Sequence, residues 1–146
     1  MALRWARFAD LDPTTLYAIL QLRAEVFVVE QGCRYQDLDG LDCKPDTWHC
    51  WIEQDGEVLS YLRVLSLLEG GSKIGRVVTA AHARRRGHAA EVVRFALEQL
   101  TAPPVVIHAQ AHLERWYSRF GFVREGLEFM EAGIPHVRMY RNTSGS

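Results

Sequence analysis

Between Arg84 and Ala90 the chain reads Arg-Arg-Arg-Gly-His-Ala-Ala, then passes into residues with a helical apolar period. Three guanidinium groups, a glycine and two small side chains at the start of a helix can do one kind of chemistry well, which is to hold an anion. The first amide N–H groups of a helix have no intrahelical partners, and the helix dipole favours negative charge there. Gly87 lets a phosphate come close to the backbone, Ala89 and Ala90 keep the first turn open, and the arginines add charge-assisted hydrogen bonds at the rim. A merely solvated helix start accounts for single arginines. A nucleic-acid patch calls for basic residues spread over a face with aromatic readers. A diphosphate pocket alone explains the glycine, the alanines and the strand-loop-helix context together.

Other ionisable residues group differently. Glu25, Glu30, Asp37, Asp39, Asp42 and Asp46 crowd one segment against only Arg34 and Lys44. Two readings stand: a solvated loop, or a rim that attracts a cationic amine, with Tyr35, Asp39 and Asp42 as contacts. His49, His108, His112 and His136 are isolated in sequence and, one by one, are more often structural than catalytic. Tyr117 falls beside Trp116 and Phe120, so spacing alone makes it a packing residue. Cys33, Cys43 and Cys50 are odd in number and form no CxxC pair, which argues against a disulfide framework and for a reducing, cytoplasmic setting. With His49 they match no common zinc spacing, so no metal is expected.

The elements that must position these residues follow from local signals. Arg4–Phe8 reads as a short strand. Asp12 is a helix cap with Pro13 at the first helical position, and Leu16, Ile19, Leu20 and Phe27 carry the helical period towards Glu30. Residues 32–46 form a long polar loop. Trp48–Gln54 and Glu57–Leu67 are strands joined by Asp55-Gly56, a hairpin turn signal. A turn at residues 68–72 leads to a strand over Ile74–Thr79, then the basic loop and a helix with Ala89, Val93, Ala96, Leu97 and Leu100 inside and Arg94 and Glu98 as an outer pair. Pro103-Pro104 ends that helix and introduces the strand Val105–Gln110. His112–Gly121 is a further helix, and Phe122–Met130 and His136–Arg141 close the chain around the turn at residues 131–135. The order predicts one mixed sheet covered by helices.

The chain has 146 residues, 48% hydrophobic and 24% charged, with a net charge of −1. Those values fit one domain, residues 1–141, with a disordered tail at 142–146. The near-neutral charge gives no reason to expect nucleic acid or an anionic membrane as a partner. The N-terminal residues have no signal-peptide pattern, and no apolar run approaches the roughly 20 residues of a membrane helix.

On these motifs the chain resembles the GNAT superfamily of N-acetyltransferases. Arg84–Ala89 is similar to that family's Q/R-x-x-G-x-G/A signature, set within Ile74–Leu100, which looks like its cofactor-binding strand, loop and helix. Ala111–Phe122 resembles the family's later helix. Val26–Asp42, Ala109–Phe122 and Gly133–Arg141 are similar to the ElaA-like subgroup, and the likeness covers essentially the whole chain. It implies an α/β fold of the mixed α+β kind: a mostly antiparallel, twisted sheet flanked by helices, with a splayed central strand pair. It implies transfer of an acetyl group from acetyl-CoA to a primary amine of a small molecule or peptide, by direct attack without a covalent enzyme intermediate. A non-catalytic CoA-binding regulatory module on the same fold is the alternative. Arg84, Arg85, Arg86, Gly87, His88 and Ala89 would bind the cofactor's phosphates, and the backbone of Val77, Val78 and Thr79 its pantetheine arm. Tyr117 would protonate the leaving thiolate. The glutamate that the family's histone-type members carry near the start of the cofactor-binding strand has no counterpart in Lys73–Arg76. Glu30 and His49 are then the leading base candidates, with His108, His112 and His136 behind them. Tyr35, Asp39, Asp42 and His136 would face the acceptor, and a homodimer is compatible.

Overall fold

The computed structural model describes residues 1–142; of the tail expected to be disordered, 143–146 lie outside the described residues. Strand β1 (Ala2–Arg7) leads through a short turn to helix α1 (Pro13–Arg23), whose start is fixed by Asp12: its carboxylate accepts from the Thr15 amide N–H at 2.8 Å. The helix does not stop at Arg23. It widens into a π-helical segment, Ala24–Glu30, which carries the apolar run Val26-Phe27-Val28-Val29. Strands β2 (Trp48–Gln54), β3 (Glu57–Ser66) and β4 (Ser72–Thr79) follow as antiparallel neighbours, then helix α2 (His88–Gln99), β5 (Val105–Gln110), the short helix α3 (Glu114–Ser118), β6 (Val123–Glu131) and β7 (Ile134–Arg141).

All seven strands form one sheet in the order β1-β2-β3-β4-β5-β7-β6. Side chains alternate across it. On β2, Cys50 turns to one face and lies against Val92 of α2, while the next residue back, His49, turns to the other face and meets Tyr61, beside Arg23 of α1. Helices therefore cover both faces. The core between them holds Ile19 and Leu22 of α1, Val92, Val93, Ala96 and Leu97 of α2, and Leu62, Ile74, Ile107 and Val137 of the sheet. The expected Arg94–Glu98 pair does not form; the Arg94 guanidinium instead sits 5.5 Å over the ring of Phe120.

Two irregularities in β4 shape the centre of the sheet. Tyr61 pairs with Val78 but Arg63 pairs with Gly75, so Arg76 and Val77 together oppose a single β3 residue. This is a β-bulge, and Arg76 occupies it at φ 55°. On its other side β4 runs parallel to β5 for only three registers, Ser72↔Val105, Lys73↔Val106 and Ile74↔Ile107. Beyond Ile74 the two strands part, which leaves the β5-facing backbone of residues 75–79 outside any ladder.

Candidate active site

The parted strands open a cleft of about 850 Å³. Its walls are β4 from Lys73 to Thr79, the β5 residues His108 and Gln110, and Tyr117 with Trp116 from α3. One end is closed by the start of α2 and the other by the β6–β7 turn with Glu131 and His136.

At the α2 end, Gly87 is the helix cap in a left-handed conformation, φ 80°, and makes no side-chain cap; Arg85 is left-handed as well, φ 67°. The first N–H groups of α2 thus face the cleft with no side chain on them, the arrangement that receives an anion. His88 is buried with its Nδ1 unpartnered, a further polar atom that an incoming group can satisfy. Gly87, Arg84, Arg85, His88 and Ala89 all line the cleft, and so do Val77, Val78 and Thr79. Arg86 does not: it is exposed and outside the cleft lining, a correction to its expected place in the cradle. The donor set therefore fits a diphosphate, through backbone N–H groups first and guanidinium groups second.

Arg84 is already engaged. Its Nη1 and Nη2 donate to the two carboxylate oxygens of Glu30 at 2.7 and 2.8 Å, and its Nε donates to the Thr79 carbonyl at 3.3 Å. Glu30 lines the cleft as expected, but this bidentate bond holds its carboxyl below the usual glutamate range. A carboxylate so stabilised is a weaker base, so Glu30 is better suited to orient Arg84 than to take a proton. His49 is corrected more firmly. It is almost fully enclosed and is not a cleft residue. The Tyr61 hydroxyl donates to its Nδ1 at 2.6 Å and its Nε2–H donates to the Asp42 carbonyl at 3.0 Å, while burial pushes its pKa down and keeps it neutral.

The acidic rim is also revised. Asp42 is buried and absent from the cleft: Arg23 Nη1 donates to it at 2.7 Å and Arg63 Nη1 at 3.2 Å. Burial works against its ionisation, but the two arginines outweigh that and hold its pKa below the ordinary aspartate value. Asp39 lines the cleft, yet it is spent on Arg63 at 2.6 Å and Arg76 at 3.3 Å, and those contacts, Arg63's hydrogen bonds first, keep it far below its usual pKa. Asp37 meets Arg23 at 3.1 Å; Arg76 Nε lies 2.8 Å from its other oxygen, close enough for charge attraction but misaligned for a hydrogen bond. Three carboxylates face three guanidiniums, and the loop presents little net charge to a substrate. Tyr35 remains a cleft residue, with the Arg76 guanidinium 4.8 Å over its ring. The arginines were not legible as loop anchors, because they come from α1, β3 and the β4 bulge.

Tyr117 sits in the cleft wall, buried, with Trp116 at 4.9 Å and Phe122 at 6.1 Å edge-on to its ring. Burial raises its pKa, so the phenol stays protonated at neutral pH. His136 lines the opposite end, as expected of an acceptor contact, and it is joined there by His108 and by Glu131, a residue that sequence reading left within a turn. Glu131's signal was its place as the last strand residue before Ala132-Gly133, a pair at φ 53° and 76° that closes a two-residue hairpin. Among the described residues no group of three or more His, Cys, Asp or Glu is placed to hold a metal ion, the three cysteines are free thiols, and no helix is long and apolar enough to cross a membrane.

Among the described residues the sheet parts at its only parallel pair, beside an uncapped helix start, and residues 24–142 match the family model described as an acetyltransferase (GNAT) domain. The chain belongs to the GNAT acetyltransferase family. It is 48% identical to a UPF0039 protein of Mycobacterium tuberculosis, over 97% of this chain and 92% of that one. Its fold superposes on the crystal structure of Escherichia coli ElaA with a TM-score of 0.92 at 36% identity, covering 97% and 100% of the two chains. An acyl-CoA N-acyltransferase of Pseudomonas aeruginosa gives a TM-score of 0.89 at 43% identity, covering 97% and 99%.

Proposed function

We propose that the protein is an N-acetyltransferase that moves the acetyl group of acetyl-CoA to a primary amine on a small molecule or peptide. The observation that carries this reading is the parting of β4 from β5 after Ile74, which joins the uncapped start of α2 and Tyr117 in one cleft. When bound, acetyl-CoA supplies an activated acyl group on a thioester. The α2 N–H groups, with Arg85 at the rim, hold its diphosphate. Glu30 keeps Arg84 extended across the same edge. The unpaired backbone of residues 75–79 accepts the pantetheine arm as an added strand would be accepted, and an N–H there polarises the thioester carbonyl. Tyr117 keeps its proton until the thiolate needs it. The amine enters from the opposite end, past Tyr35 and His136. A reducing compartment such as the cytoplasm suits the three free thiols.

The test is amine-dependent release of free CoA thiol from acetyl-CoA across an amine panel. Release establishes the enzyme; tight binding of acetyl-CoA with no release from any amine assigns the cleft to a binding module instead. In the same assay Gly87→Val should raise the KM for acetyl-CoA tenfold or more, since a β-branched residue at φ 80° costs at least about 1–2 kcal/mol and must rebuild the cap. An unchanged KM would remove the diphosphate from this site.

A further inference from the structure

The proposed reaction needs a base, and the parting of the sheet leaves one group of ionisable side chains that neither the diphosphate cradle nor Tyr117 uses. His108 is the first β5 residue past the last pair with β4, Ile74↔Ile107. Its Nδ1 lies 3.0 Å from Oε1 of Glu131, at the end of β6. The other oxygen of Glu131 is 3.8 Å from Nε2 of His136. Phe129 holds both rings in place, edge-on to His108 at 5.2 Å and stacked on His136 at 6.1 Å. All three ionisable groups line the cleft.

Hydrogen-bond chemistry assigns the tautomers. A carboxylate only accepts, so His108 carries its proton on Nδ1 and donates it to Glu131. That leaves the lone pair on Nε2, which has no protein partner among the described residues and is not sealed from solvent. His136 Nδ1–H donates to the Ile134 carbonyl at 2.7 Å, so this ring is fixed by the hairpin and its Nε2 faces Glu131. A histidine whose inner nitrogen is tied to a carboxylate and whose outer nitrogen opens on a cleft is built to accept a proton, because the carboxylate stabilises the imidazolium that results. Neither Glu30, held by Arg84, nor the enclosed His49 meets that description.

We propose that His108 is the general base that deprotonates the amine acceptor, with Glu131 as the positioning carboxylate that fixes its tautomer and stabilises its charged form. The proposal rests on the acetyltransferase reading of the cleft. An acceptor arriving as an ammonium ion gives one proton to His108 Nε2. The freed amine forms the C–N bond at the thioester carbonyl, the C–S bond breaks as Tyr117 gives its proton to the sulfur, and the second proton from nitrogen restores the phenol. His108 returns its proton to solvent. One ammonium and one thioester thus yield one amide, one thiol and one proton.

The charged and titratable groups around His108 are Lys73 on β4, Glu131 on β6, His136 and Arg138 on β7, and Arg63 on β3 beyond Lys73. Arg138 is ion-paired with Glu125, and burial lowers the pKa of Lys73; Glu131 is the carboxylate in hydrogen-bond contact with the His108 ring.

The experiment is the pH dependence of kcat/KM for the best amine in the full chain, with binding of CoA measured alongside. The wild type should lose activity as pH falls through a limb set by protonation of the base. His108→Gln should abolish that limb and lower kcat/KM at pH 7 roughly a hundredfold, while leaving CoA affinity within about twofold. Glu131→Gln should move the limb to lower pH, because the imidazolium loses its carboxylate. In the free chain, the His108 ring resonances followed by NMR should titrate at lower pH in Glu131→Gln by the same displacement. A wild-type limb in His108→Gln overturns the proposal while leaving the acetyltransferase reading intact. Should His108→Gln fail to fold, Glu131→Gln decides alone, and an unmoved limb with an unmoved resonance overturns it. A wild type that binds acetyl-CoA but acetylates no amine overturns both.

Discussion

Tyr117 lies on the face of α3 that closes the cleft, with aromatic rings on two sides and no charged neighbour to lower its pKa. A phenol so placed holds its proton through the substrate-binding steps, and on the proposed reading it offers that proton to the sulfur as the C–S bond breaks. Tyr117→Phe keeps the ring, the packing and nearly the volume, so its effect isolates the hydroxyl. Turnover should fall about tenfold or more with CoA affinity nearly unchanged, read from steady-state kinetics and a separate binding titration. Equal turnover would return Tyr117 to the core. On the proposed mechanism the two ends of the cleft divide the proton traffic: removal from nitrogen at the β5–β6–β7 corner, delivery to sulfur from α3.

The loop between the π-helical segment and β2 shows how an element can reverse the sense of its own composition. Its aspartates suggested a negative rim, but Asp37, Asp39 and Asp42 are met by arginines from other elements: Arg23 from α1, Arg63 from β3 and Arg76 from the β4 bulge. The partners are separated by 14 to 39 residues in sequence, so no local pattern joins them. Arg23 is wholly enclosed, and Arg23→Met should cost about 3–5 kcal/mol by leaving Asp42 buried without its closest counter-charge, measured by urea denaturation. The folded-state pKa values of Asp39 and Asp42 are depressed, so their contribution to stability is fully present above the ordinary aspartate value of about 4 and is lost as pH falls through the lower folded values. The urea midpoint should therefore drop between pH 5 and pH 3, and drop less in the Asp39→Asn, Asp42→Asn double variant. An equal drop would place the acid sensitivity elsewhere. Elements with local signals were legible in the sequence: the Asp12-Pro13 helix start, the Asp55-Gly56 hairpin, the strand-loop-helix around Gly87. The ion network, the bulge at Arg76 and the meeting of His108 with Glu131 depend on strand register, which composition and period do not encode.

At the scale of the molecule the sheet is two units, β1 to β4 and β5 with β7 and β6, joined by three parallel registers and by the core beneath them. A ligand seated in the parting bridges the units, touching β4 and α2 on one side and β5 and α3 on the other. Binding only to the folded chain, it should stabilise both units together. At one hundred times its Kd, CoA should add about 2.7 kcal/mol, which for a chain of this size raises Tm by on the order of 8 °C. Tryptophan reports on both sides, with Trp5, Trp48 and Trp51 on the β1–β2 edge and Trp116 in the cleft wall. Fluorescence and far-ultraviolet circular dichroism should therefore give one coincident transition with and without CoA, displaced as a whole. Two separated transitions that CoA merges would mean that the three registers alone do not couple the units, and that the ligand completes the sheet as well as occupying it. No displacement at saturating CoA would mean that the parting is not its seat.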